Sequence, residues 1–292
     1  MDNESFNRAV DFQSWEDWAG WHQKHSGQFE EWKRQIVATI ERNGFVEPLT
    51  QQHADPKAIK IITGNYRESL SYNGLNSRKR GLLLEFDRIR QTDTRFADQN
   101  VRIFAPEALS RTALIFRGLY PYFLGTEYIP DVQKRSQYYP IQHADLLGLD
   151  MSDGVFDLVI TGDVLEHVPD LPLAIREIAR VLRPDGVLIS TFPFAFQSMQ
   201  TVIHARIQAG QIVHLRKPEY HGDPLDPQGV LVFQIPGWDV LDLCRAAGFS
   251  DARMVLHVSA RHGVVADYPP GVLVLSARKG TDPGAIQPKG SI

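Results

Sequence analysis

The sequence predicts an α/β protein: a mostly parallel sheet covered by helices on both faces, preceded by a helical extension and interrupted by a lid insertion. Three observations carry this. From Asn100 onward, short apolar runs alternate with segments of helical period, the pattern of strand–helix–strand units. The first forty-odd residues carry an aromatic stripe at helical spacing instead. Residues 195–236 are polar, contain Pro and Gly, show little period, and are too long for an ordinary connection.

In the extension, Trp15, Trp18, Trp21, Phe29, Trp32, Ile36, Val37 and Ile40 recur at spacings of three and four, and Asn43-Gly44 is a helix stop. A stripe this aromatic needs a partner surface: the body of the protein, a second protomer in a homodimer, or a substrate mouth. An extended piece is expected at Ile59–Thr63, and a helix starting near Asn76 or Ser77 through Leu82, Leu83, Leu84, Phe86 and Ile89. Arg78, Lys79 and Arg80 read first as a solvated basic patch.

Strands are expected at Val101–Phe104, Tyr122–Tyr128, Tyr139–His143, Phe156–Thr161, Gly186–Phe192, Ala252–Val258 and Val272–Ala277, with helices at Pro106–Phe116, Leu171–Leu182 and Trp238–Ala247. The last two strands have no clear helix between them, which permits an antiparallel hairpin at the sheet edge. Arg183-Pro184-Asp185-Gly186 reads as a tight turn, with Gly186 supplying the positive φ.

Composition narrows the function classes. A net charge of −4 over 292 residues gives no strong field of either sign, so no nucleic acid or anionic membrane is expected as partner. A single cysteine, Cys244, leaves no disulfide framework and no cysteine-based zinc site, and no metal is expected. The opening residues carry neither a basic nor an apolar leader region, and no apolar run reaches the ~18 residues of a membrane span, so the cytoplasm is the expected location.

The chemistry concentrates in FDLVITGDVLEHVPD (156–170), followed by REIARVLRPDGVLIST (176–191): a buried strand, a loop, a helix, a tight turn and a second strand. This block resembles the centre of the class I S-adenosylmethionine (SAM)-dependent methyltransferases, the type 11 group, well over residues 120–195 and weakly to 280. The resemblance implies a Rossmann-like, seven-stranded sheet with a reversed last strand, and SAM as cofactor. It also divides the chain into a cofactor-covering helical extension (1–90), a core (91–194 and 237–280), a lid (195–236) and a flexible tail (281–292).

Residue by residue, the resemblance assigns Glu127, at the end of YFLGTEY, to the ribose hydroxyls, with Tyr128 beside it. In His143-Ala144-Asp145-Leu146 it assigns Asp145 to the adenine amino group and Leu146 to the ring face. Thr161, Gly162 and Asp163 are placed under the cofactor and next to the methyl group, with Asp163 also a catalytic candidate. Glu166 and His167 are read as structural, bonding the loop. Thr191-Phe192-Pro193-Phe194 is expected to line the acceptor pocket.

The sequence departs from the family at the first strand. Where a GxGxG turn is usual, residues 101–110 read VRIFAPEALS, without glycine. Ala105-Pro106-Glu107 can instead start a helix, Pro being favoured at its first position, with the helix N-terminus, including Ala105 and Glu107, facing the cofactor carboxylate. Asn76 and Arg78, in NSRKR, are assigned to the same carboxylate as a replacement for the missing glycines. In the lid, Glu219-Tyr220-His221-Gly222-Asp223-Pro224 offers Tyr220 and His221 as catalytic groups, His221 as the base that deprotonates a small-molecule acceptor. The expected activity is methyl transfer to an O or N atom of a metabolite. Two other readings remain: a SAM-using lyase or cyclase that releases methylthioadenosine, and a non-catalytic relative that binds a partner.

Overall fold

The computed structural model describes residues 6–281, so the tail expected at 281–292 lies outside the described residues after its first position. The chain forms two compact units, Met1–Gln99 with Arg253–Ser276, and Asn100–Ala252 with Ala277–Ile292. The main-sheet strands are β1 (Asn7–Phe12), β2 (Ile103–Ala105), β3 (Phe123–Glu127), β4 (Gln142–His143), β5 (Phe156–Gly162), β6 (Leu182–Thr191), β7 (Phe249–Ser259) and β8 (Val272–Lys279). Their order is β1-β7-β8-β6-β5-β2-β3-β4, a mostly parallel sheet of eight strands where seven were expected. The extra strand is β1, which runs antiparallel to β7 from Asn7↔Ser259 to Phe12↔Met254. Only Phe12 of its six residues is buried, so no apolar alternation announces it.

In the first unit the expected single amphipathic helix is two, α1 (Trp15–His25) and α2 (Phe29–Asn43), broken by a turn at Ser26–Gln28. Ser14 caps α1 by accepting the Asp17 N–H, and Gly44 ends α2. The aromatic stripe packs within this unit. Trp18 is buried with its ring 5.2 Å from Phe12 and 5.8 Å from Trp21, and Phe29 lies 5.4 Å from Tyr268. No strand forms at 59–63; a single bridge joins Lys60 to Ser71, and short strands at Phe45–Val46 and His53–Ala54 pair instead.

Helix α3 (Ser77–Thr92) starts where expected, with Asn76 Oδ1 accepting the Lys79 N–H at 2.9 Å. The basic run at its start is not a solvated patch. Arg78 is mostly buried, and Arg80 is fully buried with its guanidinium 3.9 Å from the centre of the Phe45 ring. Arg80 donates to four carbonyls: His262 at 2.9 Å, Leu75 at 2.8 Å, Leu70 at 2.8 Å and Gly263 at 2.6 Å. For Arg80 the backbone carbonyls take the place of water, and for Arg78 the Glu68 carboxylate does, at 3.1 Å.

Glu85 is likewise buried, and accepts from His257 Nε2 at 2.9 Å and from Arg88 Nε and Nη2 at 2.8 and 2.9 Å; Arg88 also reaches Asp11 at 3.2 Å. Burial alone would raise this carboxyl, but the His257 and Arg88 bonds outweigh it and hold it down at about 2. A depressed carboxyl stabilises the fold above its unfolded pKa, near 4.3, and that stability is lost as pH falls through the folded value. Between about pH 5 and pH 2, urea unfolding should therefore lose on the order of 3 kcal/mol from this group alone. Glu85→Gln should flatten that part of the profile. A variant with the wild-type slope would contradict the assignment.

The second unit holds β2 to β6, with parallel pairs β2–β3, β2–β5, β3–β4 and β5–β6. Helices α4 (Arg111–Leu119), α5 (Leu171–Val181) and α6 (Val240–Ala246) belong to it. Asp170 caps α5 through the Leu173 N–H, and one face of α5, including Ile175, Ile178 and Val181, is buried. At the start of β6 the positive φ (60°) falls on Asp185, not on Gly186 as expected.

Residues 195–236 are built from three short antiparallel pairs: Val202–Ile203 with Gln234–Ile235, Ala205–Gln208 with Gln211–His214, and Tyr220–His221 with Val230–Leu231. Ala205, Leu231 and Phe233 make a small apolar core beneath them. Strands of two to four residues are too short to show a period of two, which is why this stretch reads as irregular. No helix among the described residues is long and apolar enough to cross a membrane.

Candidate functional site

The polar groups gather at the carboxyl ends of β2, β3 and β5 in the second unit. Strand β3 ends in Glu127, whose Oε1 accepts the Leu109 N–H at 2.9 Å. Burial pushes this carboxyl up to about 7; bonds from the Leu109 and Ala108 N–H groups oppose the rise, and the charge of Asp223 adds to it. Asp223 belongs to the 195–236 segment, so that segment brings a second carboxylate toward the ribose candidate.

The same interaction corrects the helix expected from Pro106. Helix α4 begins at Arg111, with Ser110 as its cap, accepting the Ala113 N–H at 3.0 Å. Ahead of it the Ala108 N–H is bonded to the Thr126 carbonyl at 3.0 Å and the Leu109 N–H to Glu127. With both N–H groups turned to β3, residues 106–110 form an irregular turn. The helix N-terminus is therefore at Arg111, not at Ala105 to Glu107. Ala105 is buried at the end of β2, and the Glu107 carboxylate lies over the tip of β5. A side chain at Gly162 would place its Cβ 3.0 Å from Glu107 Oε1, so glycine there makes room for that carboxylate.

The other assigned residues are distributed as follows. Thr161 is fully buried, its hydroxyl 2.6 Å from that of Ser190. Asp163 takes a positive φ of 58°, rare outside glycine and asparagine, while its N–H bonds the Thr191 carbonyl at 2.8 Å. Asp145 closes a turn by accepting the Leu147 N–H at 2.8 Å. Leu146 is buried, and Tyr128 is exposed with its ring 5.6 Å from that of His143. Asn76 and Arg78 lie in the first unit, where Asn76 Nδ2 and Arg78 Nε reach Glu68 at 2.9 and 3.1 Å.

A second cluster follows β5. The turn Leu165–His167 carries Glu166, which is fully buried. Its Oε1 stands 3.4 Å from His221 Nδ1 and 3.6 Å from His167 Nε2. The rings of His167 and His221 meet edge to face, 5.0 Å apart. The other nitrogen of His167 contacts the Leu231 carbonyl at 2.9 Å, and the other nitrogen of His221 lies 3.5 Å from Glu219 Oε1. Burial raises the Glu166 carboxyl; His221 opposes the rise, and Asp163 adds to it. Gly229 fixes the strand that presents His221: its φ is 78°, and a Cβ there would stand 2.3 Å from the His221 carbonyl oxygen. Tyr220, on the same strand, is exposed.

In the sequence Glu166 and His167 read as structural groups that bond the loop, and Glu219 carries no assigned role. The signal was the Glu-His pair just after a strand tip, together with a further Glu-x-His in the lid.

Residues 121–190, from the approach to β3 through most of β6, match the family described as Methyltransferase domain. This segment is methyltransferase-like. It carries Glu127, Asp145, Asp163, Glu166 and His167. No curated protein matches the sequence. Among solved structures the chain is similar to a SAM-dependent methyltransferase from Mesorhizobium loti, at 18% identity over 62% of this chain and 91% of that one, TM-score 0.40. It is similar to a SAM-bound amino pentose methyltransferase of calicheamicin biosynthesis from Micromonospora echinaspora, at 16% identity over 70% and 92%, TM-score 0.44. The 4+2 cyclase SpnF also matches, at 20% identity over 77% and 89%, TM-score 0.40.

Proposed function

We propose that the second unit binds S-adenosylmethionine and transfers its methyl group to an O or N atom of a small-molecule metabolite. The observation that carries this is Glu127, at the tip of β3 within the segment that matches the methyltransferase domain. A carboxylate offers about four acceptor sites. The backbone N–H of Leu109 uses part of that capacity, and the remainder fits a pair of ribose hydroxyls. The residues present therefore fit the nucleoside.

When bound, the cofactor supplies an electrophilic methyl group on a sulfonium. What the chain supplies is alignment, the larger part of the catalysis for such a displacement. Glu127 fixes the ribose, Asp145 and Leu146 meet the adenine, and Asp163 faces the reacting end. Tyr220 and His221 approach from the 195–236 segment on the acceptor side. The short antiparallel pairs of that segment give it the rigidity to hold an acceptor in one orientation and to exclude water.

A second reading is favoured by the turn at 106–110, which is glycine-free and tied to Glu127. A cofactor seated on such a turn takes a different pose at its amino-acid end, as a lyase or cyclase releasing methylthioadenosine would need. The test is to incubate the protein with SAM and candidate metabolites and to identify the nucleoside product by mass spectrometry. S-adenosylhomocysteine is the expected product. Methylthioadenosine would replace the methyl-transfer reading with the second one.

A further inference from the structure

We propose that Glu166, His167 and His221 form a binding site for one divalent transition-metal ion of the zinc class, open at its fourth position. The three ligand atoms all lie within 4.8 Å of one another. Zinc bonds of about 2.1 Å in a tetrahedral site put neighbouring donors about 3.4 Å apart. The observed separations from Glu166 Oε1, 3.4 Å to His221 Nδ1 and 3.6 Å to His167 Nε2, match that edge and are long for hydrogen bonds.

The surroundings are those of a metal site and not of a simple ion pair. Glu166 is fully buried, and neither of its carboxylate oxygens has a hydrogen-bond partner, which is costly for a buried carboxylate unless a cation completes it. Each histidine is held by its other ring nitrogen. His167 Nδ1 donates to the Leu231 carbonyl, which leaves the Nε2 lone pair aimed at Glu166. A lone pair facing a carboxylate is repulsive until a cation stands between them. His221 Nε2 faces Glu219, giving the carboxylate–histidine arrangement that orients metal ligands. Glu219 is itself 3.7 Å from His204, which steadies that outer shell.

Two imidazoles and one carboxylate select zinc, cobalt, nickel or iron(II) over magnesium and calcium, which take oxygen donors. Three protein ligands leave a coordination position for water or for an oxygen of the acceptor. This inference departs from the metal-free sequence expectation, because the ligands come from two segments far apart in the chain. It does not depend on cofactor binding, so it stands or falls separately from the methyl-transfer reading.

The experiment uses the full chain stripped with a chelator and titrated with Zn2+ by competition against a chromophoric chelator, and with Co2+ by visible absorption. Wild type should bind one equivalent of Zn2+ with a Kd below about 10 μM, unaffected by excess Mg2+ or Ca2+. Co2+ should show the d–d bands of a low-coordinate site. His221→Asn and Glu166→Gln should each weaken Zn2+ binding by at least about tenfold. His214→Asn, at an exposed histidine outside the cluster, should change nothing. Because Glu166 is buried, circular dichroism and thermal melting check its variant, and the half-exposed His221 variant carries the test if Glu166→Gln does not fold. No Zn2+ binding by wild type, or binding that His221→Asn leaves intact, would overturn the proposal.

Discussion

Arg80→Met is expected to destabilise the first unit by on the order of 3–5 kcal/mol in urea unfolding. The reason is the set of carbonyls that the guanidinium holds: Leu70, Leu75, His262 and Gly263, from two stretches distant in sequence. Methionine fills a similar volume but takes the guanidinium donor from the Leu70, His262 and Gly263 carbonyls, while that of Leu75 keeps the Tyr72 N–H at 3.0 Å, and each buried unmet acceptor costs about 1–3 kcal/mol before relaxation. The stacking of Arg80 on Phe45 is lost as well. Arg80→Lys should recover only part of the stability, since an ammonium offers three donors from one point and cannot fork between the carbonyls. A loss below about 1 kcal/mol for Arg80→Met would mean that the loops hold their shape without it.

Glu127→Ala is expected to weaken SAM binding by at least about tenfold in calorimetry, the loss of charge-assisted bonds to two ribose hydroxyls. The substitution also frees the Leu109 N–H, so Glu127→Gln is the companion variant: its amide oxygen can still accept from Leu109 but carries no charge. The raised carboxyl, at about 7, adds a pH dependence. On the proposed ribose reading the ionised form accepts from both hydroxyls, so affinity should strengthen as pH rises from about 6 to 8 and level off above. Asp223, the charge that helps to raise Glu127, moves the same midpoint, and Asp223→Asn should shift it downward. A dissociation constant unchanged in Glu127→Ala would remove the ribose assignment.

The parallel core was legible because its elements are long and regular. Phe156–Gly162 is nearly all buried, and α5 places Ile175, Ile178 and Val181 on one face, so apolar runs and helical period declare both. Other elements carried no such signal. Strand β1 is mostly exposed and polar, and the pairs within 195–236 are too short for alternation. Pro106 suggests a helix start that the tie from Glu127 to Leu109 forbids, a contact between the end of β3 and the turn after β2 that local propensity cannot express.

The candidate site divides in the same way. Glu127, Asp145 and Asp163 sit at strand ends or the turns just after them, where the resemblance placed them. The cluster of Glu166, His167, Glu219 and His221 needed the fold, because Gly229 and the short strands bring His221 back to the tip of β5. The burial of Arg80 is hidden in the sequence for a related reason. Sequence alone gives its charge, but not the four carbonyls that make burial of that charge favourable.

The nucleoside site is tested most directly by titrating S-adenosylhomocysteine into the wild-type protein in a calorimeter, with adenosine as the minimal probe. One molecule of S-adenosylhomocysteine should bind per chain in the micromolar range, and adenosine more weakly at the same site, displaced by the larger ligand. Absence of heat with both ligands, at concentrations approaching about 1 mM, would contradict it.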